Sequence, residues 1–347
     1  MPGLGWRAAS PMTEPLSETP APRQPAAQRQ ADIVALRALL ARRIVGQQRL
    51  LDRMVVALLT GGHLLVEGLP GLAKTTAVKA LAQAVHASFQ RVQFTPDLLP
   101  GDITGGDVFV PAEGRSRFVR GPLFHDIVLA DEINRAPAKV QSALLEAMQE
   151  RQVTVGASTH ALPGMFLVMA TQNPLEQSGT YPLPEAQLDR FLLHVVIDYP
   201  SAEQERTILD MDLGAGIGGV AGDPPVCAVD ADAVLRAREE VRGVHLADSL
   251  RQAIVDLVRT TRAPEQRDPE LAGLVAAGAS PRAMLALAHS AQALAYLRGR
   301  DYVIPDDIVE LAADVLRHRL VLNLEAELRG VDADSLIGRL LGAVAFD

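Results

Sequence analysis

One cysteine, Cys227, stands among 347 residues. No disulfide can therefore close within the chain, and no cysteine-based zinc or iron–sulfur site can form. Aromatic residues make up 4%, with a single tryptophan, which leaves few rings for stacking on unpaired bases. Positive charge is also short: 33 Lys and Arg against 42 Asp and Glu give a net charge of −9. Proteins that bind duplexes gain much of their affinity by neutralising phosphates, so this balance argues against a nucleic-acid partner. No apolar run approaches the roughly 18 residues of a membrane-spanning helix, so membrane insertion is not expected. Residues 1–10 lack the basic start and apolar stretch of a secretory signal. Cytoplasm is the expected location, and Met12 fits as a start as well as Met1.

What is present is ordinary for a globular chain: 48% hydrophobic and 22% charged residues, in a length that suits roughly two domains of about 150 residues each. Residues 1–30 hold six prolines among Ala, Gln and Ser and predict a disordered tail. From 31 to 199 strands and helices alternate. Apolar strands are expected at 63–67, 89–95, 126–130, 165–170 and 192–197, with helices at 75–87 and 137–150 and a hairpin at 151–161. That alternation predicts an α/β domain, a parallel sheet between helical layers. From 200 to 347 the strand signal fades, and helices at 203–213, 231–241, 247–262, 281–297 and 306–320 predict a smaller all-helical domain. Ser280 before Pro281 reads as a cap followed by a first turn. The Gly- and Pro-rich stretch 214–225 reads as a loop.

The strongest chemical signal is Gly68-Leu69-Pro70-Gly71-Leu72-Ala73-Lys74-Thr75-Thr76, placed between an apolar strand and a helix. Successive backbone amides and a helix N-terminus make a positive concavity that suits nucleotide phosphates. Lys74 would reach the β- and γ-phosphates, and the Thr75 hydroxyl would ligate Mg²⁺. Ala73 stands where the general pattern has glycine, which alanine can replace if its φ is negative. Downstream, an apolar strand ends in Asp131 and Glu132. A parallel strand delivers these acids to the edge that carries the phosphate loop. Asp131 then suits the Mg²⁺ shell, and Glu132 suits polarising the attacking water. Asn173 ends the next buried strand, where a polar group can sense the γ-phosphate. Arg190, in Leu188-Asp189-Arg190-Phe191, follows a short predicted helix. Such an arginine can complete a neighbouring subunit's site. Together these segments read as a nucleoside triphosphatase site.

The segments 67–76, 124–136, 170–174 and 184–191 resemble the MoxR family of AAA+ ATPases, and the likeness extends over most of 33–344. It implies a P-loop αβα nucleotide-binding domain followed by a helical lid, ATP and Mg²⁺ as cofactors, and assembly into a homo-oligomeric ring, usually of six. It further implies that Val45 and Gly46 contact adenine, that Asn173 is sensor 1, Arg190 the trans-acting arginine finger, and Arg282 the sensor 2 arginine. Segment 96–108 corresponds to the family's insertion in the helix-2 region, and 151–161 to the hairpin before sensor 1. Arg135 stays open as an alternative finger, and Arg282 stays open between acting in cis and in trans. The implied function is chaperone-like remodelling, maturation or activation of a partner, one containing a von Willebrand factor type A domain. The alternatives are a magnesium-chelatase-like motor subunit, a DNA-dependent motor resembling the MCM branch, and a module that binds ATP without turning it over.

Other patterns carry less. Gly214, Gly216 and Gly219 fit a dinucleotide-loop spacing, but they follow a helix rather than a strand. Asp230 and Asp332 precede helical patterns and read as N-caps. No histidine spacing suits a metal, His125 reads as a packing residue, and Arg317-His318-Arg319 reads as a solvated basic face.

Overall fold

The computed structural model describes residues 25–112, 114–174, 179–214 and 229–344. Residues 1–24 of the expected tail, Cys227 and the glycine-rich stretch after Gly214 lie outside those residues, whereas 26–30, expected in the tail, belong to the first helix.

Helices α1 (Ala26–Arg43) and α2 (Gln48–Thr60) precede the sheet. Every residue of α2 from Leu50 to Leu59 is buried, and Gly61 ends the helix in the left-handed conformation that favours glycine. Its terminal carbonyls are taken by guanidiniums from afar: Arg238 Nε donates to Leu58 O at 2.8 Å, and Arg151 donates to Gly61 O. Then follow β1 (Leu64–Glu67), α3 (Lys74–Ala84), β2 (Phe89–Gln93), a short α4 (Pro100–Thr104) and the hairpin β3 (Gly105–Val110) with β4 (Arg115–Arg120). The chain continues through β5 (Ile127–Asp131), α5 (Ala138–Glu150), a second hairpin of β6 (Gln152–Val155) and β7 (Ser158–Ala161), β8 (Leu167–Gln172), α6 (Glu185–Leu188) and β9 (Leu193–Val196). The insertion expected at 96–108 thus runs on to Arg120, because β3 and β4 form an exposed ribbon with no buried face to announce it.

Five strands pair in the order β2-β5-β8-β1-β9, all in parallel. Both faces are covered, so successive residues of one strand enter different cores. Ile127 and Leu129 of β5 pack with α1, α2 and α3, whereas Val128 and Ala130 pack with α5. Register aligns the strand ends: Gln93 lies opposite Asp131, and Glu67 opposite Gln172. The phosphate loop and the acidic pair therefore leave the sheet at one edge.

Helices dominate the second half: α7 (Ala202–Gly214), α8 (Ala231–Arg242), α9 (Asp248–Thr260), α10 (Pro281–Leu297), α11 (Pro305–Leu316), α12 (Leu324–Leu328) and α13 (Ala333–Ala343). Two short antiparallel strands, β10 (Val275–Ala277) and β11 (Val321–Leu322), accompany them. The expected caps are in place. Ser280 Oγ accepts from Arg282 N at 3.2 Å, Asp230 from Ala233 N at 2.7 Å and Asp332 from Ser335 N at 2.7 Å.

The basic run 317–319 requires a correction: it is buried, not solvated. Arg317 pairs with Asp334 at 2.6 Å and Asp314 at 3.1 Å, and Arg319 with Asp189 at 2.7 Å. Each cation is compensated by a carboxylate, which is what makes its burial tolerable.

The same half is fastened to α2 by charge. The Arg53 side chain is 1% exposed; its Nε donates to Asp314 Oδ2 at 2.7 Å and its Nη1 to Glu310 Oε1 at 2.9 Å. Asp314, fully buried on α11, also binds Arg49 at 2.6 Å. Removing one member of such a cluster leaves the others' charge stranded, at about 3–5 kcal/mol. Asp314→Ala is therefore expected to lower the thermal midpoint by several degrees and to cost stability on that scale in a urea titration. A loss under about 1 kcal/mol, the range of an exposed pair, would show that the cluster is solvated.

Candidate active site

The loop between β1 and α3 is shaped by close approach. A Cβ at Gly68 would stand 2.4 Å from Ile197 Cγ1, so no side chain fits there. Gly71 turns the chain at φ +86°. Ala73 corrects the reading of the sequence: its φ is +57°, not negative. The loop imposes a left-handed turn directly before Lys74, and alanine holds it at a cost of about 1 kcal/mol relative to a relaxed backbone. Helix α3 starts at Lys74, and the unpaired amides of its first turn give this end a positive potential.

A cleft of about 350 Å³ opens over the loop. Its lining combines Pro70, Gly71, Leu72, Ala73, Lys74, Thr75 and Thr76 with Arg91, Asp131, Glu132, Thr171, Gln172 and Asn173. Gly68 lies behind the lining and receives a hydrogen bond at its carbonyl from Lys74 Nζ, at 2.5 Å. Burial holds the Lys74 pKa below its usual value, against the pull of Asp131 and Glu132.

The acidic pair is held by Arg135, which the sequence offered in another role, and by three residues that the sequence alone did not single out. Thr171 Oγ1 donates to Asp131 Oδ1 at 2.6 Å and accepts from Glu132 N at 2.9 Å, fixing both acids from the neighbouring strand. Arg91 pairs with Asp131 Oδ2 at 2.7 Å. Glu132, itself at φ +57°, receives Gln93 Nε2 at 2.6 Å and Arg135 Nη1 at 3.1 Å on Oε2. The available signal for Gln93 and Arg91 was the parallel pairing of β2 with β5, which sets Gln93 opposite Asp131.

A second hollow, also about 350 Å³, shares Pro70, Gly71, Leu72 and Ala73 with the cleft and adds Val45, Gln47, Tyr199, Pro200, Glu205 and Ile208. Its apolar walls suit a flat ring next to a phosphate cradle. Gly46, at φ +82°, backs this hollow so tightly that a Cβ there would meet Pro200 Cβ at 3.0 Å.

Arg190 and Arg282 line neither space. They lie together on a different hollow, about 280 Å³, beside Arg151, Phe191, Leu285 and Arg319. Arg282 Nη1 is 3.9 Å from Asp189 Oδ2. The structure therefore gathers Lys74, Thr75, Asp131, Glu132 and Asn173 at one cleft and sets both arginines apart. His125 is half-buried, its Nδ1 2.9 Å from Pro122 O. Among the described residues no three His, Cys, Asp or Glu side chains cluster as a metal cage. No helix among them is long and apolar enough to cross a membrane.

Residues 63–193 match the ATPase family associated with various cellular activities, AAA, and residues 271–340 match the AAA lid domain. The chain is 48% identical over 305 residues to the chaperone MoxR1 of Mycobacterium tuberculosis, covering 87% of this chain and 79% of that protein. It is 31% identical over 322 residues to the protein MoxR of Paracoccus denitrificans, covering 86% and 91% respectively. A solved structure of a candidate ATPase from Cytophaga hutchinsonii superposes with a TM-score of 0.84 at 41% identity, covering 93% of this chain and 97% of that one. A phosphate loop and acidic strand on one edge of a five-stranded parallel sheet, a lid beyond it and these likenesses place the chain in the MoxR family of AAA+ ATPases.

Proposed function

We propose that this protein binds ATP with Mg²⁺ in the cleft, hydrolyses it to ADP and phosphate between subunits of a ring, and spends the cycle on remodelling or maturing a partner protein. The observation that carries the reading is the division of the machinery. Glu132, Lys74 and Asn173 share one cleft, while Arg190 and Arg282 face another hollow.

The cleft suits the first half of the task. Lys74 and the opening amides of α3 draw in the phosphates and offset their charge. Glu132, held at Oε2 by Gln93 and Arg135, would orient a water and take its proton, with Asn173 in the same lining. Magnesium asks for little from a protein, often one or two carboxylates with phosphate and water completing the shell. The Thr75 hydroxyl and the Asp131 carboxylate share the lining and would meet that need, Asp131 through lone pairs not taken by Thr171 and Arg91. When bound, the ion would supply charge neutralisation at the phosphate oxygens.

The second half needs another copy. Arg190 lines a hollow other than its own cleft, which supports its acting on a neighbour's nucleotide. Arg282 shares that hollow, which favours action in trans for it as well. Arg135, by contrast, already sits on Glu132 of its own chain. Head-to-tail contacts of this kind close into rings, and six subunits is the size the family resemblance favours. The chaperone role in the cytoplasm and a von Willebrand factor type A partner rest on that resemblance too.

The test is the steady-state ATPase rate per subunit across a dilution series. Hydrolysis shared between subunits makes this rate rise with concentration until rings are complete. A constant rate would place all catalytic groups in one chain, and ATP binding without turnover at any concentration would favour a nucleotide-gated binding module.

A further inference from the structure

We propose that Asp189 is a positioning residue for Arg190, holding it from the lid of its own subunit so that it meets a neighbour's nucleotide at a fixed place. The inference rests on the trans-acting reading of Arg190 given above.

Arg190 needs outside support. The helix before it, α6, has one turn and no buried residue, too little to hold a long side chain's base by itself. The support comes from either side of Arg190 and from two separate pieces of the lid. Asp189 Oδ1 accepts from Arg319 Nε at 2.7 Å, and Oδ2 accepts from Ser280 Oγ at 3.0 Å. Arg319, its side chain 3% exposed, also donates Nη2 to Phe191 O at 2.6 Å and Nη1 to Leu192 O at 3.2 Å. His318 Nε2 lies 3.1 Å from the same Phe191 carbonyl. The turn carrying Arg190 is thus clamped at the residue before it and at the residue after it. Phe191, fully buried, adds an apolar anchor.

Charge makes Asp189 the centre of this clamp. Burial works against the charge of Arg319 and prevails, and the Asp189 carboxylate is the group that opposes it. Ser280 serves twice: its hydroxyl caps α10 through Arg282 N and donates to Asp189. The base of Arg282 is therefore two hydrogen bonds from the carboxylate next to Arg190. Both groups that grip Asp189 belong to the lid, so the place of the arginine shown to one neighbour is set by how the lid packs in its own subunit. Geometry of this sort governs rate more than binding, because a charge-stabilising group must meet the transition state and not the ground state.

Mixed rings of full-length chains distinguish this role from a merely structural one. Glu132→Gln subunits have a dead site but an intact Arg190; Asp189→Asn subunits have an intact site but a loosened Arg190. Asp189→Asn alone is expected to lose at least about tenfold in kcat with KM for ATP within about twofold. Equal mixing with Glu132→Gln should restore turnover, because random assembly sets about half of the intact sites against a firmly held arginine. Arg190→Ala mixed with Glu132→Gln is the control. If the control fails to recover, the trans-acting reading falls and takes this proposal with it. If the control recovers but Asp189→Asn does not, Asp189 serves its own subunit and the proposal alone is overturned. Should Asp189→Asn fail to fold, Ser280→Ala removes one of the two lid bonds to the carboxylate, and its recovery on mixing is judged by the same control.

Discussion

Glu132→Gln is expected to stop ATP turnover while leaving ATP binding intact. The substitution keeps the size of the side chain and an oxygen to accept from Gln93, now 2.6 Å away, so the cleft should keep its shape. What is lost is the carboxylate proposed to take a proton from the attacking water. General-base groups contribute about 10²–10⁴ in rate, and a variant without one should turn over at or below 1% of wild type by the lower figure. On the proposed reading binding depends on the loop amides, Lys74 and the apolar hollow at Val45; of these the change reaches only Lys74, by removing one of the two acids that favour its charge. Steady-state hydrolysis beside calorimetric nucleotide binding separates the two effects. Retention of more than a tenth of the wild-type rate would remove Glu132 from the role of base.

Arg190→Ala carries the second large effect, and by a different route. An arginine that meets transition-state charge from across an interface contributes about 10³–10⁵ in rate. That factor corresponds to roughly 4–7 kcal/mol of barrier. Because Arg190 lines a hollow away from the phosphate cleft, the variant should fold and bind ATP as wild type does. Its kcat is what collapses, and raising the protein concentration should not bring it back. A rate within tenfold of wild type would transfer the role to Arg135, whose guanidinium stands 3.1 Å from Glu132.

Much of the fold could be read from the chain because its signals were local and in order. Buried runs such as Ile127–Asp131 can only be inner strands, and a glycine loop between strand and helix fixes where phosphates go. What escaped was set by pairing over long distances. Arg319 looks solvated in a basic triplet until Asp189, 130 residues earlier, arrives beside it. Thr171 and Gln93 join Asp131 and Glu132 only through sheet register, which no single strand reveals. Ala73 is a finer case: the loop's demand for a left-handed turn overrode the residue's own preference, and composition gives no warning of that. The short pair β10–β11 has two or three residues per strand, too few for any periodicity to register.

The buried pair Arg53 and Asp314, joined at the surface by Glu310, bears on how work leaves the molecule. It rivets α11 to α2, and α2 leads within a few residues into β1 and the phosphate loop. A hinge between lid and sheet would have to drag these charges through apolar surroundings, several kcal/mol uphill. The subunit then behaves less like a pair of jaws than like a single stiff cam. In the ring proposed above, strain raised at the cleft would pass outward to the adjoining copy, and the seams of the ring, rather than the middle of each chain, would be where motion is spent.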